Sequence, residues 1–266
     1  MTIYLPIRPL INAVLSTEQS KAFKTVLVLG CTSLHTSCVQ NRKNSSSSKR
    51  WIARHMKDPF VKEAQVQHYR ARSAFKLLEI NDRFQLFKPG DVVIDCGAAP
   101  GSWSQVAADK VNALSNDKTR PQGKVVAIDI LEFDPIPGVT TLSNCDFMDE
   151  KNQSRIVACL QGKMANSVIS DMAPNATGMK DLDHENIIRL ASAVASFTTR
   201  VLKNNGIFLC KVWDGYECEA LKKELSKSFT NCRSVRPEAS RKESAELFIF
   251  ARGYRRPSSV KKGATL

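Results

Sequence analysis

The sequence predicts an α/β protein whose core is a doubly wound parallel sheet with helices on both faces. The first reason lies in residues 92–105, where an apolar, β-favouring run passes into a glycine turn and then into helix-forming residues. The second reason is that short β-favouring runs and amphipathic helical patterns alternate along the rest of the chain. Parallel strands joined by crossover helices produce this alternation.

Hydrophobic periodicity and the positions of glycine, proline and capping residues set the individual elements. Helices are expected over residues 73–87, 102–114, 183–204 and 218–229. Strands are expected near residues 92–95, 125–130, 140–147, 165–171, 207–213, 232–236 and 246–251. Residues 115–124 are polar, and we expect them to form a surface loop.

A chain of 266 residues is long enough for one α/β domain of about 200 residues. We expect that domain over residues 51–254, followed by a basic tail over residues 255–266. The formal net charge of +13 predicts a polyanionic partner or an acidic membrane surface. No apolar stretch has the length of about 20 residues that a membrane-spanning helix needs, so the chain is not expected to cross a membrane.

The sequence contains eight cysteines and no Cys-x-x-Cys pair, and several of the cysteines fall inside apolar strands. This pattern favours reduced core thiols in a reducing compartment. It does not favour zinc ligands or a disulfide framework.

Residues 1–50 differ in composition from the rest of the chain. They contain seven Lys or Arg against the single acid Glu18, and a hydroxyl-rich stretch ends in the four serines 45–48. An amphipathic, acid-poor, hydroxyl-rich leader is typical of a mitochondrial transit peptide. A disordered basic tail is the alternative. A secretory signal is disfavoured because the only short apolar run, residues 26–29, lies late.

Basic and aromatic residues interleave between residues 51 and 72. Single-stranded RNA requires both phosphate contacts and stacking faces, and such a segment offers both. For any one residue of this segment, a solvated charged face is the alternative explanation.

The turn over residues 97–101 predicts a pocket for a nucleotide-like ligand at the carboxyl end of a parallel strand. No Gly-Lys-Ser/Thr sequence is present, and Pro100 lacks an amide donor, so a phosphate group fits poorly. Asp129 ends the next strand and Asp146 lies in the strand expected near residues 140–147, and both suit ribose hydroxyls and a cationic sulfonium. The pocket therefore fits S-adenosylmethionine. A glycine turn with solvated acids is the alternative.

Four charged residues occupy positions that are otherwise apolar: Lys76, Asp171, Lys211 and Glu246. Unpaired charges are rarely buried in parallel sheets, so two lysines and two acids at one sheet edge would compensate each other. Taken singly, each could be an ordinary snorkelling or salt-bridged side chain.

Five ordered blocks resemble the FtsJ/RrmJ family of S-adenosylmethionine-dependent RNA ribose 2′-O-methyltransferases. They are YRARSAFKL (69–77), DCGAAPGSWSQ (95–105), SDMAP (170–174), FLCKVW (208–213) and SAELFI (244–249). The resemblance covers roughly residues 49–254. It implies a Rossmann-like methyltransferase sheet that is mostly parallel, with one antiparallel strand near the C-terminus and helices on both faces.

The resemblance also implies site residues. The catalytic set would be Lys76, Asp171, Lys211 and Glu246, with Glu246 chosen over Glu243 on the register of the last strand. The S-adenosylmethionine contacts would be Gly97, Pro100, Gly101, Ser102, Trp103, Asp129, Asp146, Phe147 and Asp171. The chain departs from the family in Ser102, where bacterial members often have glycine, and in the additional loop 115–124. No metal is implied.

The implied reaction needs a base, because a ribose hydroxyl is a weak nucleophile near neutral pH. An ordinary lysine is protonated and cannot act as a base, but burial and a second cation would favour a neutral Lys211. The nearby acids oppose this effect. Lys211 is therefore either the base or a cation that orients the oxygen.

The leader favours the family member that methylates a uridine of mitochondrial large-subunit rRNA, acting as a monomer on free rRNA or on a pre-ribosomal particle. A tRNA enzyme and an mRNA-cap enzyme are alternatives within the family. A non-catalytic RNA-binding assembly factor is an alternative of a different class, and the four intact charged positions argue against it as the sole role.

Overall fold

The computed structural model describes residues 57–175, 177–241 and 244–257. Its strands are β1 (Val92–Cys96), β2 (Lys124–Ile128), β3 (Val139–Leu142), β4 (Ala165–Ser170), β5 (Leu202–Trp213), β6 (Phe229–Val235) and β7 (Glu246–Tyr254). Its helices are α1 (Pro59–Val66), α2 (Ala74–Phe84), α3 (Ser102–Lys110), α4 (Glu150–Cys159), α5 (Lys180–Val201) and α6 (Tyr216–Ser226).

The seven strands form one sheet in the order β3-β2-β1-β4-β5-β7-β6. All neighbouring pairs from β3 to β5 are parallel, whereas β7 is antiparallel to both β5 and β6. The strand order reverses between β1 and β4, because β2 and β3 lie on one side of β1 whereas β4 and β5 lie on the other. Ligands bind at such a switch point in open α/β sheets. The predicted doubly wound sheet with one antiparallel strand is confirmed.

Helices cover both faces of the sheet because alternate strand residues point to opposite sides. On β1, Ile94 belongs to the core beneath α4, α5 and α6, whereas Val93 belongs to the core beneath α2 and α3. Both residues are fully buried. A parallel sheet buried on both faces explains why its central strands carry apolar residues on both faces.

Two helices were not expected from the sequence. Helix α1 begins at Pro59 after Asp58, whose carboxylate accepts a hydrogen bond from the amide of Phe60. Helix α4 begins after Asp149, which caps the amide of Lys151 in the same way. Both helices are short and bury few side chains, so their apolar periodicity is weak although their capping signals are present.

Several predicted boundaries were wrong. Helix α3 ends at Lys110 and not at residue 114, and β3 ends at Leu142 and not at residue 147, so Asp146 lies in a loop. Helix α5 runs directly into β5, because Leu202 already has extended backbone angles. Gly206 lies within β5, where a Cβ atom would approach Leu202 Cγ to 2.5 Å.

The six cysteines of the described residues are all free, and four of them are buried: Cys96, Cys145, Cys210 and Cys218. Burial raises the pKa of the Cys210 thiol to about 12. These thiols are therefore packing groups, as the sequence predicts. Within the described ranges, the structure contains no helix that combines the length and the apolar character of a membrane span.

Candidate active site

The carboxyl ends of β1, β2, β4 and β5 meet at one edge of the sheet, and the antiparallel strand β7 begins at this edge. Glu246 is the first residue of β7 and lies opposite Trp213, the last residue of β5. Asp171 directly follows β4. Helix α2 brings Lys76 to the same place from the face above. The four predicted charged residues are therefore assembled into one site.

These four residues form two ion pairs. Lys76 Nζ lies 2.6 Å from Glu246 Oε1 and 2.8 Å from Oε2, and Lys211 Nζ lies 3.0 Å from Asp171 Oδ1. The four side chains are only 10–18% exposed. Since an unpaired charge at this depth costs several kcal/mol, each ion compensates its partner.

Glu246 is held as a carboxylate. Burial by itself raises the pKa of Glu246, but the ammonium of Lys76, its hydrogen bond and the charge of Lys211 together hold that pKa below its ordinary value. Ser240 adds a hydrogen bond from its hydroxyl to Glu246 Oε1 at 2.8 Å. Ser240 is buried, and no local sequence pattern indicates this contact, because it depends on the turn before β7.

Lys211 also donates a hydrogen bond to the main-chain carbonyl of Asp171. Asp171 Oδ1 is buried, and none of the residues that the structure describes makes a well-directed hydrogen bond to it, although Lys211 Nζ lies at ion-pair distance. The carboxylate therefore keeps an oxygen that can accept a hydrogen bond from a further group at this edge. Such a group could be a substrate hydroxyl.

The turn after β1 is shaped by two glycines. Gly97 has a φ of +80°, and a Cβ atom there would lie 2.1 Å from Met172 Cγ. Gly101 has a φ of +112°, and a Cβ atom there would lie 2.6 Å from Ile136 Cδ1. The peptide bond between Ala99 and Pro100 is cis. Only glycine combines these backbone angles with such close neighbours, so the turn leaves its backbone bare.

Asp95 lies at the end of β1 beneath this turn and is completely buried. Burial raises the pKa of Asp95 to about 7; a hydrogen bond from Ser104 opposes the rise, and the charges of Asp171 and Asp129 add to it. The Ser104 hydroxyl donates to Oδ2 at 2.6 Å, whereas Oδ1 has no partner among the described residues. Neither Asp95 nor Ser104 was among the predicted site residues.

Asp129 lies directly after β2 and braces the glycine turn. Its Oδ2 accepts a hydrogen bond from the Ala99 amide at 2.8 Å, and its Oδ1 accepts one from the Leu131 amide at 2.8 Å. Each carboxylate oxygen can accept a second hydrogen bond, so ribose hydroxyls are still compatible with this geometry. Asp146 is exposed, and its Oδ1 accepts a hydrogen bond from the Met148 amide.

Three of the predicted cofactor residues point their side chains away from the turn. Trp103 is 2% exposed, donates from Nε1 to the Ser73 carbonyl at 2.9 Å and packs against Phe248. Phe147 is buried against Phe197. Gly101 occupies the N-cap position of α3, and the Ser102 hydroxyl contacts the hydroxyl of Ser73. The side chains of these three residues therefore have partners within the protein.

Residues 68–73 are fastened to the glycine turn. The Arg70 guanidinium donates to the carbonyls of Pro100, Asp134 and Pro135 at 3.0, 2.6 and 2.8 Å. The amide side chain of Gln105 bridges the amide of Arg70 and the carbonyl of His68. The sequence suggests RNA contacts for Arg70, but its guanidinium is engaged by three carbonyls.

Arg72 is similarly occupied. Its Nε lies 3.1 Å from Asp58 Oδ2, and its Nη2 donates to the carbonyl of Ala239. An RNA surface in this segment must therefore rely on other side chains, such as the exposed Lys57 and Lys62.

Comparison with known proteins agrees with this architecture. Residues 69–254 match the family model described as FtsJ-like methyltransferase. The chain is 42% identical over 221 residues to "rRNA methyltransferase 2, mitochondrial" of Drosophila melanogaster, covering 83% of this chain and 86% of that protein. It is 43% identical over 214 residues to "Ribosomal RNA large subunit methyltransferase E" of Azorhizobium caulinodans, covering 80% and 86%.

A crystal structure of a Plasmodium falciparum protein, titled as a ribosomal RNA methyltransferase, superposes with a TM-score of 0.60 at 26% identity. The superposition covers 70% of this chain and 98% of that one. The family match spans the sheet, the glycine turn and both ion pairs. The chain therefore belongs to the FtsJ-like methyltransferase family.

Proposed function

We propose that the protein transfers a methyl group from S-adenosylmethionine to the ribose 2′-hydroxyl of a uridine in mitochondrial large-subunit rRNA. The observation that carries this proposal is the pair of buried ion pairs, Lys76–Glu246 and Asp171–Lys211, next to a bare glycine turn. A non-catalytic RNA-binding protein has no need to bury four charges at the end of its sheet.

The names of the relatives support the choice of RNA. The Drosophila protein is named as a mitochondrial rRNA methyltransferase, and the Azorhizobium protein is named for the large ribosomal subunit. The net charge of +13 suits a polyanionic substrate. RNA in a pre-ribosomal particle and free rRNA are both compatible with these observations.

The residues at the turn fit S-adenosylmethionine. The glycines leave main-chain groups open to a ligand, helix α3 directs its positive end toward the turn, and Asp129 offers free lone pairs for ribose hydroxyls. Beneath the turn, Asp95 Oδ1 is a buried acceptor that has no hydrogen-bond partner within the described part of the chain. When bound, S-adenosylmethionine supplies a methyl group on a positively charged sulfur.

The side chains of the ion pairs would prepare the hydroxyl. Lys211, if neutral, would take the proton that the 2′-hydroxyl loses as its oxygen bonds to the methyl carbon. If Lys211 stays charged, it would instead hold an oxygen lone pair in the attacking direction. Asp171 would orient Lys211, since the two groups are 3.0 Å apart, and Glu246 would fix Lys76 beside them. No described residue other than these four is needed for the proton transfer.

We also propose that residues 1–50 direct the protein to the mitochondrial matrix, with residues 51–254 as the methyltransferase domain. The leader lies outside the described residues, and the support comes from its acid-poor composition and from the name of the Drosophila relative. Fused to a fluorescent reporter, residues 1–50 should carry it into mitochondria. A cytosolic reporter would favour a tRNA substrate instead.

The substrate can be identified by mapping 2′-O-methyl groups across all RNA of cells with and without the protein. We expect one uridine of mitochondrial large-subunit rRNA to lose its methyl group. Loss at tRNA positions only would replace the proposed substrate. An unchanged methylation map together with defective ribosome assembly would support the non-catalytic role.

A further inference from the structure

A cleft of about 890 Å³ opens next to the two ion pairs. It is bounded by the end of β5, the beginnings of α5 and α6, and the two residues that precede β7. Trp213 lines it and pairs with Glu246, and Trp213 lies two positions after Lys211, on the same face of β5. The amide of Asp214 donates to the carbonyl of Ala245 at 2.9 Å and closes the floor. The cleft therefore adjoins the candidate active site.

Two aromatic rings form one wall of this cleft. The imidazole of His184 and the indole of Trp213 lie edge to face, with centroids 6.4 Å apart. Both side chains are partly exposed, so the rings retain accessible surface. Neither residue has a role in the two ion pairs.

Gly215 makes room for the imidazole. A Cβ atom at Gly215 would lie 2.6 Å from His184 Cε1 and 3.0 Å from Nε2. The φ of Gly215 is 163°, an extended value that any residue can adopt, so the reason for glycine here is space. His184 Nε2 also lies 3.0 Å from Glu217 Oε2, in a direction that does not make a good hydrogen bond. The imidazole thus keeps hydrogen-bonding capacity.

The charges of the cleft do not suit a phosphate. Its charged lining residues are four acids and one lysine: Asp181, Glu185, Asp214, Glu217 and Lys180. Carboxylates repel phosphate groups but accept hydrogen bonds from N–H groups. A neutral aromatic ring that carries N–H donors at its edge matches both the aromatic wall and the acidic lining.

We propose that this cleft binds an unpaired nucleobase of the RNA, adjacent in the strand to the ribose that receives the methyl group. The base stacks against Trp213 and His184, and the carboxylates accept hydrogen bonds from its N–H groups. This inference rests on the proposed function and extends it by assigning a base-recognition subsite. His184 and Trp213 are then positioning residues, since they hold the strand and do not touch the reacting atoms.

The test combines protein variants with an RNA change. The variants are His184→Ala, Trp213→Phe and Gly215→Ala, the last of which displaces the imidazole without removing a polar group. The control is Tyr216→Ala, which removes an aromatic ring that is 84% exposed and does not line the cleft. RNA affinity is measured with an rRNA fragment and with fragments that lack one base at each position flanking the target. Affinity for S-adenosylmethionine is measured in parallel.

We expect His184→Ala and Gly215→Ala to weaken RNA binding roughly tenfold, within the range typical of one stacked base, and to leave cofactor affinity unchanged. Trp213→Phe should weaken RNA binding less than these two variants, since phenylalanine keeps an aromatic face. At one flanking position, removal of the base should abolish the difference between wild type and His184→Ala, as expected when two changes delete the same contact. Tyr216→Ala should bind like the wild type.

The proposal would be overturned if His184→Ala and base removal gave additive losses of RNA affinity at every flanking position, because the base and the imidazole would then act independently. Wild-type RNA affinity in both His184→Ala and Gly215→Ala would also overturn it. These outcomes differ from failure of the proposed function, which would appear as absence of methyl transfer to RNA by the wild-type protein.

Discussion

The Arg70 guanidinium joins the glycine turn to the loop that follows β2, because one nitrogen, Nη1, donates to the carbonyls of both Pro100 and Asp134. Its other terminal nitrogen donates to the carbonyl of Pro135. The three carbonyls belong to two segments more than thirty residues apart, so a single side chain sets the distance between the glycine turn and the loop after β2. Arg70 is therefore expected to position the cofactor without contacting it.

Replacement of Arg70 by Met should weaken S-adenosylmethionine binding by about 1–3 kcal/mol, since two to three hydrogen bonds that order the turn are lost. Arg70→Lys should bind the cofactor little better than Arg70→Met, because an ammonium lacks the planar fork that reaches both segments. Calorimetric titration of the cofactor measures the effect. Arg83→Met is the matched control, since Arg83 pairs with Glu79 and lies over the Phe84 ring, and neither contact involves the glycine turn. Equal losses in both variants would contradict the role.

Replacement of Asp129 by Ala should weaken cofactor binding by about 1.5–3 kcal/mol, the range for hydrogen bonds to a charged group. It removes the acceptor for ribose hydroxyls and also leaves the amides of Ala99 and Leu131 without their partner. Asp134→Ala is the control, because this exposed residue contacts Arg70 only through its main chain. Unchanged affinity in Asp129→Ala would place the ligand elsewhere.

Replacement of Lys211 by Ala should lower kcat by roughly 10²-fold or more, the usual contribution of a general base, while both RNA and cofactor binding persist. Lys211→Arg keeps the charge but cannot lose its proton at usable pH, so it should be nearly as inactive if proton removal is the role. Methyl transfer to rRNA fragments across pH measures both variants, with the surface variant Lys222→Ala as control. Substantial activity in Lys211→Arg would leave orientation by a fixed cation as the surviving role.

The buried carboxyl of Asp95 should make stability depend on pH in an unusual direction. Its folded-state pKa is raised from 3.8 to about 7, so the folded protein binds the proton more tightly than the unfolded chain. The stabilisation that the Asp95 carboxyl adds to the free energy of unfolding is therefore fully present at low pH. It is lost as pH rises from about 4 to about 7, by at most about 1.4 kcal/mol per pH unit.

Asp95→Asn keeps the shape of the side chain but cannot ionise. The free energy of unfolding of wild type minus that of Asp95→Asn should fall across this pH window, as measured by denaturant titration. Asp117→Asn serves as the control, because Asp117 is a surface carboxylate whose pKa is lowered, first by its hydrogen bonds with Thr119. A difference that rises or stays flat with pH would show that Asp95 is ionised in the folded protein.

Local sequence patterns were sufficient for the sheet, the turn and the four charged residues. Lys76, Asp171, Lys211 and Glu246 could be selected because each places a charge in an apolar element, and burial makes such a position costly without a partner. Predictions that depend on side-chain direction were weaker. Trp103 lies in the turn motif, but the periodicity of α3 turns its indole into the core.

Long-range contacts were beyond the reach of the sequence patterns. Arg70 was grouped with the RNA-facing basic residues, whereas its partner Asp134 is 64 positions away and contributes only a carbonyl. The hydrogen bond from the Ser240 hydroxyl to Glu246 could not be predicted either, since only a turn of the chain brings the two residues together. Main-chain acceptors carry no residue-type signal, so these contacts become visible only in three dimensions.

The position of β7 between β5 and β6 has a consequence for biosynthesis. Strand β6 is made first, but among the described strands it pairs with β7 alone, and β7 begins with Glu246. A nascent chain that ends before residue 246 therefore lacks both the partner of Lys76 and the strand that docks β6. We expect a chain truncated after residue 245 to bind no cofactor and to show no methyl transfer, so that an incomplete translation product carries no methyltransferase activity.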